Sequence, residues 1–188
     1  MAPSEPRVRR FTTGERLVHA ATGVLMLLCV TAAACLYFAP LAQLVGRRDT
    51  VVTIHEWSGL LLPTPLLLGL FSPAFRADLR RLNRPAGKFN VGQKLYAGWI
   101  AGAVLVMIGT GLLMWFTHLL PSISRTSAIF VHDVLAWAIA VVLAGHIRKA
   151  FQDPEARRGM RTGFVSRAWA AREHPLWPVD ELPSETRW

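Results

Sequence analysis

Six histidines occur in the 188 residues, at His19, His55, His118, His132, His146 and His174. Five of them lie in or at the ends of apolar runs, where an ionisable side chain is costly and invites a functional reading. His132 and His146 are 14 residues apart. At ~100° per residue that spacing falls within ~40° of four full helical turns, and at ~1.5 Å per residue it places them ~21 Å apart along the axis. They share a face but not a ligand, so two separate sites are required, each lacking a second donor. If the apolar runs span a bilayer, His19 lies at the depth of His146 and His55 at the depth of His132. Two imidazoles on facing helices are the arrangement that holds a b-type haem. With both axial positions filled, such a haem carries electrons and does not activate oxygen. Four places after each histidine stands a small residue (Gly23, Gly59, Ala136, Ala150), which clears a strip for a porphyrin plane. Taken singly, any of the four is equally well explained as an interfacial histidine satisfied by water, backbone or lipid phosphate. The pairing by depth favours ligands. His118 has no partner at its depth and reads as interfacial, and His174 reads as a surface residue of the tail.

The elements that would position these residues are apolar runs. Leu17 to Phe38, Trp57 to Phe75 and Leu95 to Leu120 carry no formal charge over 22, 19 and 26 residues, and a fourth run continues from Ala128 to Ile147 with Asp133 as its one acid. About 20 apolar residues cross a ~30 Å hydrocarbon core as a helix. Hydrophobic residues make up 52% and charged residues 18% of the chain, and the mean hydropathy is +0.32, against ~25% charged for an ordinary soluble domain. The expectation is an all-α membrane protein, a four-transmembrane-helix bundle with helices near 17–38, 53–71, 95–117 and 128–150. A polar arm (1–16) precedes the transmembrane domain (17–151), and a soluble tail (152–188) follows it. Pro63 and Pro65 should kink the second helix. Trp169, Trp177 and Trp188, set among basic residues of the tail, suit the headgroup zone or a partner subunit.

The net charge of +9 follows topology. The arm, the middle connection and the segment after Ile147 hold 18 of the 21 lysines and arginines. Cytoplasmic segments collect such residues, so both termini and the middle loop are expected inside, with attraction to anionic lipid as a secondary effect and no role for nucleic acid. Cys29 and Cys35 sit in the first helix as packing residues, and the chain has no C-x-x-C-H haem-attachment motif. Any cofactor must be held by histidine or carboxylate. Glu56 and Asp133 adjoin two of the candidate ligands. As acids in first helical turns they would meet the positive end of the dipole, and a sharper role would be orienting the imidazoles.

Before the third helix stands Gly87-Lys88-Phe89-Asn90-Val91-Gly92-Gln93-Lys94. On its own, this is most simply a polar helix entrance with amide caps, although Asn90 and Gln93 could hydrogen-bond a carbonyl oxygen and Gly92 permits close backbone approach. Together with Arg16-Leu17-Val18-His19, Ile54-His55 followed by Gly59, the 14-residue histidine pair, and a tail reading Val165-Ser166-Arg167-Ala168-Trp169-Ala170 then His174-Pro175 and Trp177, the segment resembles the gamma subunit of membrane formate dehydrogenases, a b556-type cytochrome b. The likeness runs from about residue 10 to 178. It implies two haem b groups, the outer on His55 and His132 and the inner on His19 and His146. It also implies a menaquinone or ubiquinone site lined by Asn90, Gly92 and Gln93, with electrons arriving from an iron-sulfur beta subunit fed by a molybdenum or tungsten alpha subunit. The location it implies is the bacterial inner membrane. Where family members often carry a His-His pair in the tail, this chain has Glu173-His174. Competing readings keep the haems and change the donor (a hydrogenase or thiosulfate reductase cytochrome b, or a freestanding superoxide:quinone oxidoreductase), or discard the cofactor altogether for a membrane anchor or transporter.

Overall fold

The structure is a computed structural model that describes residues 5–82, 87–116 and 125–178. His118, Pro121, Trp188 and the turn-rich stretch 83–86 lie outside the described residues. Strand β1 (Arg7–Arg9) is followed by helix α1 (Thr13–Tyr37), α2 (Ala39–Val45), α3 (Arg48–Leu61), α4 (Thr64–Gly69), α5 (Pro73–Leu82), α6 (Val91–Trp115), α7 (Arg125–Gln152), α8 (Pro154–Thr162), strand β2 (Phe164–Ser166) and α9 (Arg167–Glu173). Four segments are long and apolar enough to cross a membrane: Thr13–Tyr37, Arg48–Gly69, Val91–Trp115 and Arg125–Gln152.

All four spans begin earlier than the apolar runs, and at α1 and α6 polar residues cap the extension. At α1 the Thr12 Oγ1 accepts the Glu15 amide at 3.2 Å while the Glu15 carboxylate accepts the Thr12 amide at 2.6 Å, a reciprocal capping box. At α6 the Asn90 side chain accepts the Gln93 amide at 2.9 Å and the Gln93 side chain accepts the Asn90 amide at 3.2 Å. The second span is broken between α3 and α4 at Leu62 and Pro63, where Pro63 has no N–H to continue the ladder.

The chain forms two compact units. One comprises Met1–His19, Leu67–Gly98 and Gly145–Trp188, the other Ala20–Leu66 and Trp99–Ala144. The second is a four-helix bundle: Met26, Leu62, Ala103 and Ile139, one from each span, meet in a buried cluster. Its outer side chains are apolar and open, with Leu105 71% and Val141 69% exposed, as a lipid-facing surface requires.

In the first unit the arm and the tail fold together. β1 pairs antiparallel with β2, Val8 opposite Val165, and these two join Trp169 and Ala170 in a buried cluster flanked by Ala156 and Trp177. Trp169 is therefore a core residue, its Nε1 donating to Asp153 at 3.2 Å, and not the headgroup anchor that composition suggested.

His174 corrects the sequence reading as well. It is 2% exposed, with ring centroids 5.2 Å from Trp169 and 6.3 Å from Trp177. Burial, and secondarily the Arg10 guanidinium, push its pKa down to about 4, so the ring is neutral in the folded tail. An unfolded tail binds the proton near pH 6.5. Stability of this cluster is therefore fully present above pH 6.5 and declines as pH falls from 6.5 to 4, by up to about 3 kcal/mol. Hydrogen exchange of residues 164–178 is expected to accelerate over that window in the wild type. In His174→Phe, which cannot take up a proton, it should stay flat.

Candidate functional site

His19 sits two turns into α1 and His146 near the C-terminal end of α7. The structure brings their rings to a centroid separation of 6.2 Å, inclined at 48°. His55, in the middle of α3, lies 6.1 Å from His132 of α7, inclined at 74°. Each pair falls within one unit, the first in the unit containing the arm and tail, the second in the four-helix bundle. Metal–imidazole bonds of ~2.0–2.1 Å, plus ~1.1 Å from ring centre to nitrogen in a ring of ~1.33 Å bonds, place two imidazoles on one iron ~6.2–6.4 Å apart. The His19–His146 separation of 6.2 Å sits at the edge of that range and the His55–His132 separation of 6.1 Å just below it.

The bundle pair carries a further mark of a ligand set. His55 Nδ1 lies 3.1 Å from the Cys29 carbonyl oxygen, which can only accept, so Nδ1 carries the proton and leaves Nε2 with its lone pair. His132 Nδ1 lies 2.9 Å from Thr110 Oγ1. That hydroxyl donates to the Val106 carbonyl at 2.8 Å and so accepts from the imidazole, giving the same tautomer. His132 Nε2 is then buried with no hydrogen-bond partner. A buried nitrogen lone pair costs free energy unless something fills it, and a metal ion bound there would do so. Among the described residues no group of three or more histidine, cysteine or carboxylate side chains is placed to hold a bare metal ion.

The small residues after the histidines behave differently from one another. A Cβ at Gly23 would meet nothing within 4 Å, whereas one at Gly59 would touch Cys29 Sγ at 3.5 Å. Gly23 borders open space and Gly59 packs against α1. Glu56 and Asp133 are not in first turns: α3 starts at Arg48 and α7 at Arg125, so both acids lie in the third turn, beyond the reach of the terminal dipole.

The polar segment before α6 uses its amide carbonyls as caps, and Gln93 Oε1 accepts a second bond from Arg10 Nη2 at 3.4 Å. The cap engages the side-chain carbonyls of Asn90 and Gln93 and not their NH2 groups, and NH2 donors of this kind are what a quinone carbonyl would need. One turn on, Tyr96 stacks on His146 with centroids 4.8 Å apart and planes at 15°. Sequence reasoning missed Tyr96 and Thr110. Their signal was available: a tyrosine three residues after Gln93, and a hydroxyl inside an otherwise apolar span.

Comparison with known proteins agrees with this architecture. Residues 10–160 match the family model of prokaryotic cytochrome b561. The formate dehydrogenase cytochrome b556 subunit of Haemophilus influenzae is 25% identical over 206 residues, covering 97% of this chain and 87% of that protein. The formate dehydrogenase cytochrome b556(fdo) subunit of Escherichia coli is 26% identical over 191 residues, covering 89% and 90%. The nitrate-inducible b556(Fdn) subunit of Escherichia coli is 30% identical over 94 residues, covering 48% and 43%. Because the family match takes in all four spans and both histidine pairs, the chain belongs to the prokaryotic cytochrome b561 family.

Proposed function

We propose that the chain is the dihaem cytochrome b subunit of a formate dehydrogenase, multi-pass in the bacterial inner membrane with both termini cytoplasmic. In this reading it accepts electrons from an iron-sulfur beta subunit, itself fed by a molybdenum- or tungsten-containing alpha subunit, and delivers them to menaquinone or ubiquinone near the cytoplasmic side. The observation that carries it is the pair of imidazole couples at 6.1 and 6.2 Å. The lengthwise relation to subunits named as formate dehydrogenase cytochromes supports the choice of donor. Bound haem b supplies one-electron carriage with no open coordination position.

The residues divide the work. His55 and His132 hold the outer haem and His19 and His146 the inner one. The Cys29 carbonyl and the Thr110 hydroxyl fix the outer imidazoles in the tautomer that presents Nε2. Asn90 and Gln93 donate to the quinone oxygens, Gly92 lets the headgroup approach the backbone, and Tyr96 holds the His146 ring on its stacking face.

The test is a visible spectrum of the chain purified from its own membranes. Expected are a Soret band, reducible b-type bands and two haems per chain, with reduction by formate when the donor subunits co-purify. A preparation without a Soret band overturns the proposal. Haems that respond to dithionite but not to formate, in membranes that retain the donor complex, reassign the donor.

A further inference from the structure

Four ionisable residues are buried together at the foot of the candidate quinone segment: Arg10 is 4% exposed, Glu15 9%, Asp78 6% and Lys88 6%. They come from the arm, the start of α1, the amphipathic helix α5 and the segment before α6, all within one unit. The Lys88 ammonium donates to the Arg10 carbonyl at 2.8 Å and to Glu15 at 3.2 Å, and is in contact with Asp78. One ammonium thus contacts two carboxylates. Glu15 is committed elsewhere, since its second oxygen accepts the Thr12 amide and hydroxyl. The labile member is Asp78.

The cluster has an outlet on each side. Toward water, Arg81 donates to Asp78 at 2.9 Å and its side chain is 52% exposed. Toward the site, the Arg10 guanidinium donates both to the Lys88 carbonyl at 3.3 Å and to Gln93 at 3.4 Å. Gln93 stands one turn before Tyr96, which stacks on His146. Lys88 lies against both carboxylates, Arg81 reaches Asp78 only from its exposed side, and burying two acids this close together costs free energy. Two acids so placed share a proton more readily than they ionise together. Burial first, then the Glu15 carboxyl, push Asp78 up to about 6 against the pull of Lys88, while Arg10, lowered by burial to about 10, stays cationic.

We propose that Asp78, coupled to Glu15 across Lys88, is the proton-delivering carboxyl of the quinone site, loading from the aqueous side at Arg81 and discharging toward Asn90 and Gln93. The proposal rests on the quinone reading given above. Reduction of a quinone to a quinol consumes two electrons, supplied by haem b, and two protons. For each O–H bond formed on a quinone oxygen, one O–H bond breaks at Asp78, which reloads from cytoplasmic water before the second transfer.

The test uses the full chain in its native membranes, with the haems reduced by dithionite, excess reductant removed, and a short-chain menaquinone analogue added while haem reoxidation is followed. Wild-type reoxidation at saturating quinone is expected to slow as pH rises through about 6. D78N should lower the maximal rate by ~10²-fold, in the range of a lost general acid, flatten the pH profile and leave the haem spectrum and the quinone KM unchanged. D78E should recover most of the rate with a displaced pH midpoint. A D78N rate within threefold of wild type, or a raised KM at unchanged maximal rate, overturns the proposal and makes the cluster a staple. If D78N fails to assemble haem, D78E decides: an unmoved midpoint overturns the role. Wild-type haems that menaquinone does not reoxidise at all refute the quinone reading itself, a result distinguishable from the failure of Asp78.

Discussion

Replacing His146 with alanine is expected to remove one of two b-haem signals and leave the other, and His132→Ala to do the reverse. Among the described residues each of the two is paired with one imidazole, His146 with His19 at 6.2 Å and His132 with His55 at 6.1 Å, and each truncation removes one member of its pair. Haem content should fall from two per chain to one. Quinone-driven reoxidation should fall by more than ~100-fold in His146→Ala, above the 10–100-fold typical for losing a partner of a metal ligand, whereas His132→Ala should keep it and lose reduction by the donor subunits. Thr110→Val is the graded control: it removes the acceptor on His132 Nδ1 without touching iron, so the outer haem should bind ~10–100-fold more weakly while the inner is unaffected. Imidazole added to the alanine variants should restore the missing band. A His146→Ala chain that keeps both bands would end the case for paired ligands, because it would show that the 14-residue spacing carries no coordination.

The parts of this molecule that were legible in the sequence are those in which one stretch of chain decides the outcome alone. The four spans follow from runs of apolar residues long enough for a hydrocarbon core, and the shared face of His132 and His146 follows from helical period. The starts of α1 and α6, at Thr13 and Val91, were placed too late because capping boxes at Thr12–Glu15 and Asn90–Gln93 extend helices into polar sequence where hydropathy falls off. α3 and α7 also start earlier than expected, at Arg48 and Arg125, and that displacement misplaced Glu56 and Asp133. Apart from the two histidine pairs, which depth in the bilayer aligned, what brings residues far apart in sequence together was not legible. Val8 opposite Val165 and Lys88 between Glu15 and Asp78 depend on chain ends meeting, and three-residue strands leave no alternation to read. Composition put His174 and Trp169 at the surface because histidine and tryptophan amid arginines look interfacial. Only the fold of arm onto tail reveals them as core.

The joint between arm and tail turns on Gly163, and Gly163→Ala is expected to open it. This residue ends α8 with φ +90°, its amide donating to the Gly159 carbonyl at 2.9 Å, and its own carbonyl accepts the amides of Arg10 at 2.8 Å and Phe11 at 3.1 Å. A Cβ there would meet the Phe11 carbonyl oxygen at 2.6 Å, a backbone atom that cannot rotate away. Left-handed backbone costs a non-glycine residue ~1–3 kcal/mol by itself, and the clash can be relieved only by surrendering the two bonds to the arm, for a total on the order of 3 kcal/mol or more. Gly46 separates these contributions. It has φ +67°, but a Cβ would meet only the Gln43 carbonyl at 4.0 Å, so Gly46→Ala should cost only ~1 kcal/mol. Hydrogen exchange across residues 7–11 and 164–170 should rise by ~100-fold in Gly163→Ala and remain at the wild-type level in Gly46→Ala. Since Arg10 is held by the same carbonyl, its bond to Gln93 should loosen with the strand pair, raising the quinone KM while the His55–His132 haem spectrum stays unchanged. Equal exchange rates in the two variants would mean that the arm is held by its side chains and not by the carbonyl of residue 163.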